Sequence, residues 1–329
     1  MKMERADWMS QLPEELWNIP LWYLAIPGSH DSMTYCLDKN SPVLGSESLV
    51  LQWLDRLAPC ITQPCIYRWA TTQVCCIQDQ LDAGIRYLDL RIAHKNKTCC
   101  TQDTLNTENT DETLYFAHAV YTLQTVKEAL SVIAVWLEQH QKEIVILSCS
   151  HFYQLSDTEH QDLVTFITQL FGDKMCCRKE TPSLRKCWSL GQQVIVSYDN
   201  DKSLHKHNNL WPSIPYWYAD SADPKEVISY LENQKSQGRV ASFFVTGLNL
   251  TEDTALVICH PCLTMRKLTM KSFSLLLGWV EEQTPGPDTA CVNIICGDFV
   301  GLTDFASVVI GLNNKLLKTK NHKWLISDK

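Results

Sequence analysis

An alternation of short apolar runs and longer helical stretches limits the fold of this chain more than any other feature. The runs, rich in Val, Ile and Tyr, are Trp22–Pro27, Ile85–Ala93, Leu114–His118, Glu143–Cys149, Gln193–Tyr198, Tyr216–Ala219, Ser242–Gly247 and Val292–Asp298. Strand-length runs separated by amphipathic helices are the pattern of βα units, whose crossovers set parallel strands side by side. The helical spacing is explicit: Val126, Leu130, Ile133 and Leu137; Leu163, Phe166, Ile167 and Leu170; Phe305, Val308, Val309, Leu312 and Leu316. Each set places an apolar stripe on one helix face. Ser156-Asp157-Thr158-Glu159 has the form of a capping box and predicts where the second of these helices begins.

Eight strands with interleaved helices predict an α/β fold, an irregular (β/α)8 barrel of the TIM type. The 329 residues exceed the ~250 usual for that barrel and leave room for insertions. The alternative, an open doubly wound sheet, usually carries a glycine-rich phosphate loop, and neither G-x-G-x-x-G nor G-x-x-x-x-G-K-[ST] occurs. Ser41–Gln80 is expected to form helices between the first two strands, and the polar Lys95–Thr113 stretch a mobile loop. With no domain-sized linker and no internal repeat, residues 1–329 read as a single barrel.

Charge and cysteine usage exclude several classes. A net charge of −8 without a Lys/Arg stripe argues against nucleic acid as a partner. The longest uncharged stretch, Leu16 to His30, contains two prolines and falls short of the ~18–20 apolar residues of a membrane span, so no transmembrane segment is expected. Met1–Ser10 has no apolar signal region, so a reducing, cytoplasmic compartment is expected and the Asn96 and Asn249 sequons are read as chance. Fifteen cysteines in 329 residues lie below the ~8–10 % of a disulfide scaffold. Cys259-His260-Pro261-Cys262 has C-x-x-C spacing but no second pair at zinc-ligand spacing, and the doublets Cys75-Cys76, Cys99-Cys100 and Cys176-Cys177 suit neither zinc nor a simple disulfide. Cys296, two residues before Asp298, is the thiol first expected to be sensitive to oxidation. The aromatic cluster Trp211, Tyr216, Trp217 and Tyr218 suits either a lipid interface or packing over the barrel mouth.

Barrel catalysts take their groups from the C-terminal ends of several strands. Here those ends are unusually polar: His30 and Asp31 after the first run, Asp89 and Arg91 on the second, His118 on the third and Asp298 on the last. Residues two apart share a face of a strand, so Leu88, Leu90 and Ile92 lie under the helices while Asp89 and Arg91 point inward. A buried carboxylate and guanidinium need each other or a ligand, and this strand alone would fit a structural ion pair. The two histidines favour chemistry: with three carboxylates to fix their protons and an arginine to hold an anion, they form a general acid/base pair around an anion site.

The stretches IPGSHDSMTY (Ile26–Tyr35), DAGIRYLDLR (Asp82–Arg91), LYFAHAVY (Leu114–Tyr121), KEIVILSC (Lys142–Cys149) and NIICGDFVG (Asn293–Gly301) resemble, in family order, the phosphatidylinositol-specific phospholipase C X-domain family. GQQVIVSY (Gly191–Tyr198), LWPSIPYW (Leu210–Trp217) and GLNLTED (Gly247–Asp253) extend the likeness over nearly the whole chain. The resemblance implies an irregular TIM barrel, with the X-domain core over residues 20–200 and the remaining barrel over 201–318. It implies a phosphoric diester hydrolase that cleaves phosphoinositides to diacylglycerol and inositol (cyclic) phosphate during transient peripheral membrane contact.

Carried over, His30 would be the general base on the inositol 2-hydroxyl and His118 the general acid on the departing diacylglycerol oxygen. Asp298 would orient His30, Asp31 would assist His118, and Asp89 would support Arg91 on the phosphate. Calcium-dependent members place acidic side chains and an Asn where the bacterial type has an arginine. Asp31 and Arg91 resemble the bacterial, metal-independent type, so no cofactor and no calcium requirement are expected. The chain departs from the bacterial pattern in lacking lysines and arginines in Ser148-Cys149-Ser150-His151 and Ser197-Tyr198-Asp199-Asn200. Two alternatives follow: a weakly active or inactive phosphoinositide head-group binder, or a metal-dependent glycerophosphodiesterase on the same barrel, which Arg91 disfavours.

Overall fold

The computed structural model describes residues 5–47, 49–95, 114–252, 257 and 263–318. Its strands are β1 (Ile26–Ser29), β2 (Tyr87–His94), β3 (Leu114–His118), β4 (Val120–Thr125), β5 (Val145–Tyr153), β6 (Val194–Tyr198), β7 (Leu210–Trp211), β8 (Tyr216–Trp217), β9 (Val245–Gly247) and β10 (Ile294–Gly297). Eight of them form a curled sheet in the order β7-β6-β5-β2-β1-β10-β9-β8, every neighbouring pair parallel. Among the described residues β7 and β8 do not pair, so the barrel is open on that side. The link between them carries Pro212 and Pro215, which have no N–H to offer a ladder.

Alternation along the strands separates two layers of core. Leu88, Leu90 and Ile92 of β2 pack outward with Ile133, Leu137, Leu163 and Ile167 of the covering helices α4 (Val126–Gln139) and α5 (Asp157–Phe171). Ile26, Tyr87, Ile146, Ile195, Val245 and Ile294 point inward and fill the barrel together with Trp8, Met9, Leu12 and Leu16. The Ser156 capping box opens α5 as its sequence predicts, and a second, Thr125 with Glu128, opens α4.

Two sequence expectations change. Leu114–His118, expected as a barrel strand, is instead one arm of an antiparallel hairpin with β4, and it pairs with the outer end of β2, Phe116 opposite Ile92. The chain reverses at Ala119, a non-glycine residue with φ 59°, so no turn dipeptide announces the hairpin. The eighth parallel strand is β7, only two residues long and too short to show a period. The first strand also begins later than expected, at Ile26, because Leu21–Tyr23 form a 3-10 turn after Pro20.

The insertion between β1 and β2 is helical, as expected: α1 (Leu49–Leu57), α2 (Pro59–Ala70) and α3 (Ile77–Asp82). Residues 96–113 of the expected loop, with the Asn96 sequon and Cys99-Cys100, and the C-x-x-C at 259–262 lie outside the described residues. The N-terminal end of the barrel is closed by an ion pair whose side chains are 0 % exposed: Arg86 Nη2 lies 2.7 Å from Glu143 Oε2, and the Met9 N–H donates to Glu143 Oε1 at 3.1 Å. No helix of the described residues is long and apolar enough to cross a membrane.

Candidate active site

The site grows from the joined ends of β1 and β10. The His30 N–H donates to the Gly297 carbonyl at 3.1 Å, which brings the next residues of the two strands, His30 and Asp298, alongside each other. Gly28 permits this crowded junction, since a Cβ there would sit 2.9 Å from Tyr87 Cδ1. Asp31 then turns with φ 43°, a left-handed conformation that Asp tolerates better than most residues, and its N–H donates to Asp89 Oδ2 at 3.2 Å. β2 supplies Asp89 and Arg91 from its inward face. His118 enters from the β3–β4 hairpin rather than from a barrel strand.

All six residues singled out from the sequence meet. His30 Nδ1 is 2.8 Å from Asp298 Oδ1, so the carboxylate keeps a proton on Nδ1 and leaves Nε2 to face the mouth. At Nε2, Arg91 Nη2 donates from 2.9 Å and Asp31 Oδ2 lies 3.2 Å away. The first contact suits neutral imidazole and the second suits imidazolium, so both protonation states have a partner. Arg91 Nε lies 2.6 Å from Asp31 Oδ1, and Arg91 Nη2 lies 3.3 Å from Asp89 Oδ2. His118 Nδ1 donates to the Ala70 carbonyl at 2.8 Å, its Nε2 is 3.4 Å from Asp31 Oδ2, and the two histidine rings are 6.4 Å apart.

These contacts set the ionisation. Burial alone would lower the pKa of His30, but the carboxylates of Asp31 and Asp298 outweigh it and hold the imidazole above its ordinary value. Burial would raise Asp31, yet Arg91, His118 and His30 bring it down to about 2. Burial raises Asp298 in spite of His30. Asp298→Asn should therefore lower the His30 pKa, because it removes one of the two carboxylates that hold the imidazole up. An NMR titration of the His30 ring reads this directly, and an unmoved midpoint would contradict the role given to Asp298.

Above the cluster opens a cleft of about 540 Å³, with His30, Asp89, Arg91 and His118 among its lining, within the ~300–1,000 Å³ common for small-ligand sites. Its walls include residues that strand-end reasoning did not single out. His151, inside β5 where its pairing with β2 shifts register between Ser150 and Tyr153, has φ 50° and an Nδ1 2.9 Å from Ser150 Oγ; its position after an apolar run was the available signal. Tyr216 lies with its ring 6.3 Å from that of His30 and donates its hydroxyl to Asn249 Oδ1 at 2.8 Å. It approaches Gly247 so closely that a Cβ there would lie 2.3 Å from Tyr216 Cε1. The aromatic cluster divides: Tyr216 and Tyr218 line the cleft, Trp211 is buried against Phe243 in the barrel interior, and Trp217 packs on Phe244. Cys296 is fully buried and its thiol is pushed well above its ordinary pKa by that burial, so the expected oxidation sensitivity is not supported.

No family model matches the chain. It is 53 % identical over 309 residues to the PI-PLC X domain-containing protein 1 of Danio rerio, covering 93 % of this chain and 96 % of that protein. With the human protein of the same name the identity is 48 %, over 94 % of this chain and 93 % of the relative. The chain belongs to the PI-PLC X domain-containing protein family. Identity to a paralogous member, PI-PLC X domain-containing protein 3 of Danio rerio, is 35 % over 95 % of this chain and 94 % of that protein. Among solved structures, the phosphatidylinositol-specific phospholipase C of Listeria monocytogenes matches with a TM-score of 0.60 and 18 % identity, covering 94 % of this chain and 99 % of that one. A Staphylococcus aureus phosphatidylinositol-specific phospholipase C matches at 0.64 and 14 %, covering 94 % and 98 %. At such identities the likeness establishes the fold of this PI-PLC X domain protein, a PI-PLC-type barrel.

Proposed function

We propose that this PI-PLC X domain protein is a metal-independent phosphoric diester hydrolase that cleaves phosphatidylinositol-type lipids to diacylglycerol and an inositol (cyclic) phosphate. The observation that carries the reading is Arg91 seated against His30, Asp31 and Asp89, with the second histidine 6.4 Å from the first. A phosphodiester accepting from the guanidinium takes over the hydrogen bond that Arg91 makes to His30 Nε2, leaving that nitrogen free as a base.

His30 then removes the proton of the inositol 2-hydroxyl, whose oxygen bonds to the neighbouring phosphorus as the bond from phosphorus to the glycerol oxygen breaks. His118 Nε2 gives that oxygen a proton, so one proton leaves the substrate and one returns. No enzyme nucleophile is needed, because the attacking oxygen belongs to the substrate. Opening of the cyclic ester by water reverses the two roles: His118 takes the water proton and His30 returns one to the 2-oxygen.

His30, Asp31 and Asp89 offer ligand atoms within 4.8 Å of one another, a spacing compatible with a cation. The Arg91 contacts argue against a divalent ion there, since the guanidinium already supplies the positive charge these groups face. The same contacts weigh against the glycerophosphodiesterase alternative. Turnover of phosphatidylinositol vesicles should be unchanged by EDTA and gain nothing from added Ca²⁺; loss with EDTA and recovery with Ca²⁺ would overturn the metal-independent mechanism.

The second reading, a head-group binder with little turnover, draws on the cleft walls, where Asp199 and Glu252 appear and Arg91 is the only Lys or Arg among the described lining residues. Vesicle binding without product release would favour it. Lipid contact is supported by the apolar side chains exposed on α1 and α2, Trp53, Leu54, Leu57 and Ile61, because Thr72, two residues past α2, lines the cleft. Under this reading the protein works in the cytoplasm and meets its substrate by transient peripheral contact.

A further inference from the structure

Residues 70–73 run from the end of α2 toward α3 and pass beside both histidines. The Ala70 carbonyl accepts from His118 Nδ1 at 2.8 Å. Thr72 Oγ1 bonds Thr34 Oγ1 at 2.8 Å, and its carbonyl accepts from the Phe299 N–H at 2.7 Å. Gln73 is 1 % exposed and its amide group is engaged on both sides. Its Nε2 donates to the His30 carbonyl at 2.9 Å and to the Gly297 carbonyl at 3.1 Å, while its Oε1 accepts from the Val300 N–H at 3.2 Å. Those backbone groups flank His30 on one strand end and Asp298 on the other.

We propose that Gln73 is a positioning residue for the His30–Asp298 pair, clamping the ends of β1 and β10 so that His30 Nδ1 stays within hydrogen-bond distance of its carboxylate. Ala70 performs the matching task for His118, so one four-residue strap fixes the orientation of both rings. The β1–β10 backbone ladder alone leaves the two residues beyond it held by the single bond from the His30 N–H to the Gly297 carbonyl. Gln73 adds a second tie to that same carbonyl and reaches the chain on the far side of Asp298 through Val300. A buried polar side chain whose donors and acceptor are all engaged by backbone fixes geometry rather than contacting substrate.

The catalytic arm of the test rests on the hydrolase reading, whereas the titration arm does not. Gln73→Met preserves length and approximate volume and removes every hydrogen bond of the amide. Gln73→Asn keeps the amide but shortens its reach by one methylene. On phosphatidylinositol vesicles each folded variant should lose about 10- to 100-fold in kcat with KM changed less than about twofold, as misplacement of a catalytic group by about 1 Å can produce. The NMR titration midpoint of His30 should fall in both, because a looser Asp298 contact raises the imidazole pKa less. Wild-type kcat together with a wild-type His30 midpoint in a folded Gln73→Met protein would overturn the proposal. If that variant does not fold, the same two readings on Gln73→Asn decide it. A wild-type protein without turnover but with a lowered midpoint in the variants would sink the hydrolase reading and leave the positioning role standing.

Discussion

His30→Ala and His118→Ala should each lower kcat on phosphatidylinositol vesicles by about 10²–10⁴-fold, the usual contribution of a positioned acid or base. KM should change little, since neither substitution removes Arg91. The two variants should then separate by leaving group. A substrate whose departing oxygen is acidic enough to leave unprotonated should restore much of the His118→Ala rate of the first, cyclising step, because in that step the proposed role of His118 is confined to the departing oxygen. His30→Ala should stay slow with the same substrate, since its 2-hydroxyl must still lose a proton. Wild-type rates in both variants would remove these residues from the chemistry. Equal recovery of both would mean that the acid and base roles are not divided between them as proposed.

The largest expected effect on stability lies at the other end of the barrel. Arg86 and Glu143 are fully buried, and Arg86 also donates from Nη1 to the Leu81 and Ile85 carbonyls at 2.8 Å and from Nη2 to the Ala6 carbonyl at 2.6 Å. Glu143→Ala leaves that guanidinium buried without its counter-charge and frees the Met9 and Ser10 N–H groups that the carboxylate holds. Breaking a buried pair in this way costs about 3–5 kcal/mol, so the urea midpoint at neutral pH should fall markedly with an unchanged m-value. Replacing both partners by apolar residues of similar size should cost less than Glu143→Ala alone, because no unpaired charge remains. A Glu143→Ala midpoint equal to wild type would show that the pair is not holding the barrel floor.

The strand count was legible because burial on both faces imposes unbroken apolar runs, and the number eight held although its membership changed. Leu114–His118 carries the same pattern as a barrel strand, since apolar periodicity records burial and not the partner. Ala119 in place of a turn glycine hid the reversal. The six polar residues at strand ends converged because a strand fixes direction: once Leu88 and Leu90 face the helices, Asp89 and Arg91 have only the interior. Gln73 offered no such cue. Its amide reaches carbonyls 43 and 224 residues away, and a lone glutamine after a helix has no period that reveals those contacts. Tyr216 and His151 were visible as residue types but not as walls of one cleft, because their neighbours there come from other strands.

The phosphorus spectrum of phosphatidylinositol vesicles incubated with the purified protein in EDTA puts the account to its most direct test. A cyclic phosphodiester resonance should appear first and give way more slowly to a phosphomonoester, with both absent from the His30→Ala sample. An unchanged lipid spectrum from folded wild-type protein, or product formed only after calcium is added, would contradict a two-histidine, arginine-assisted hydrolase.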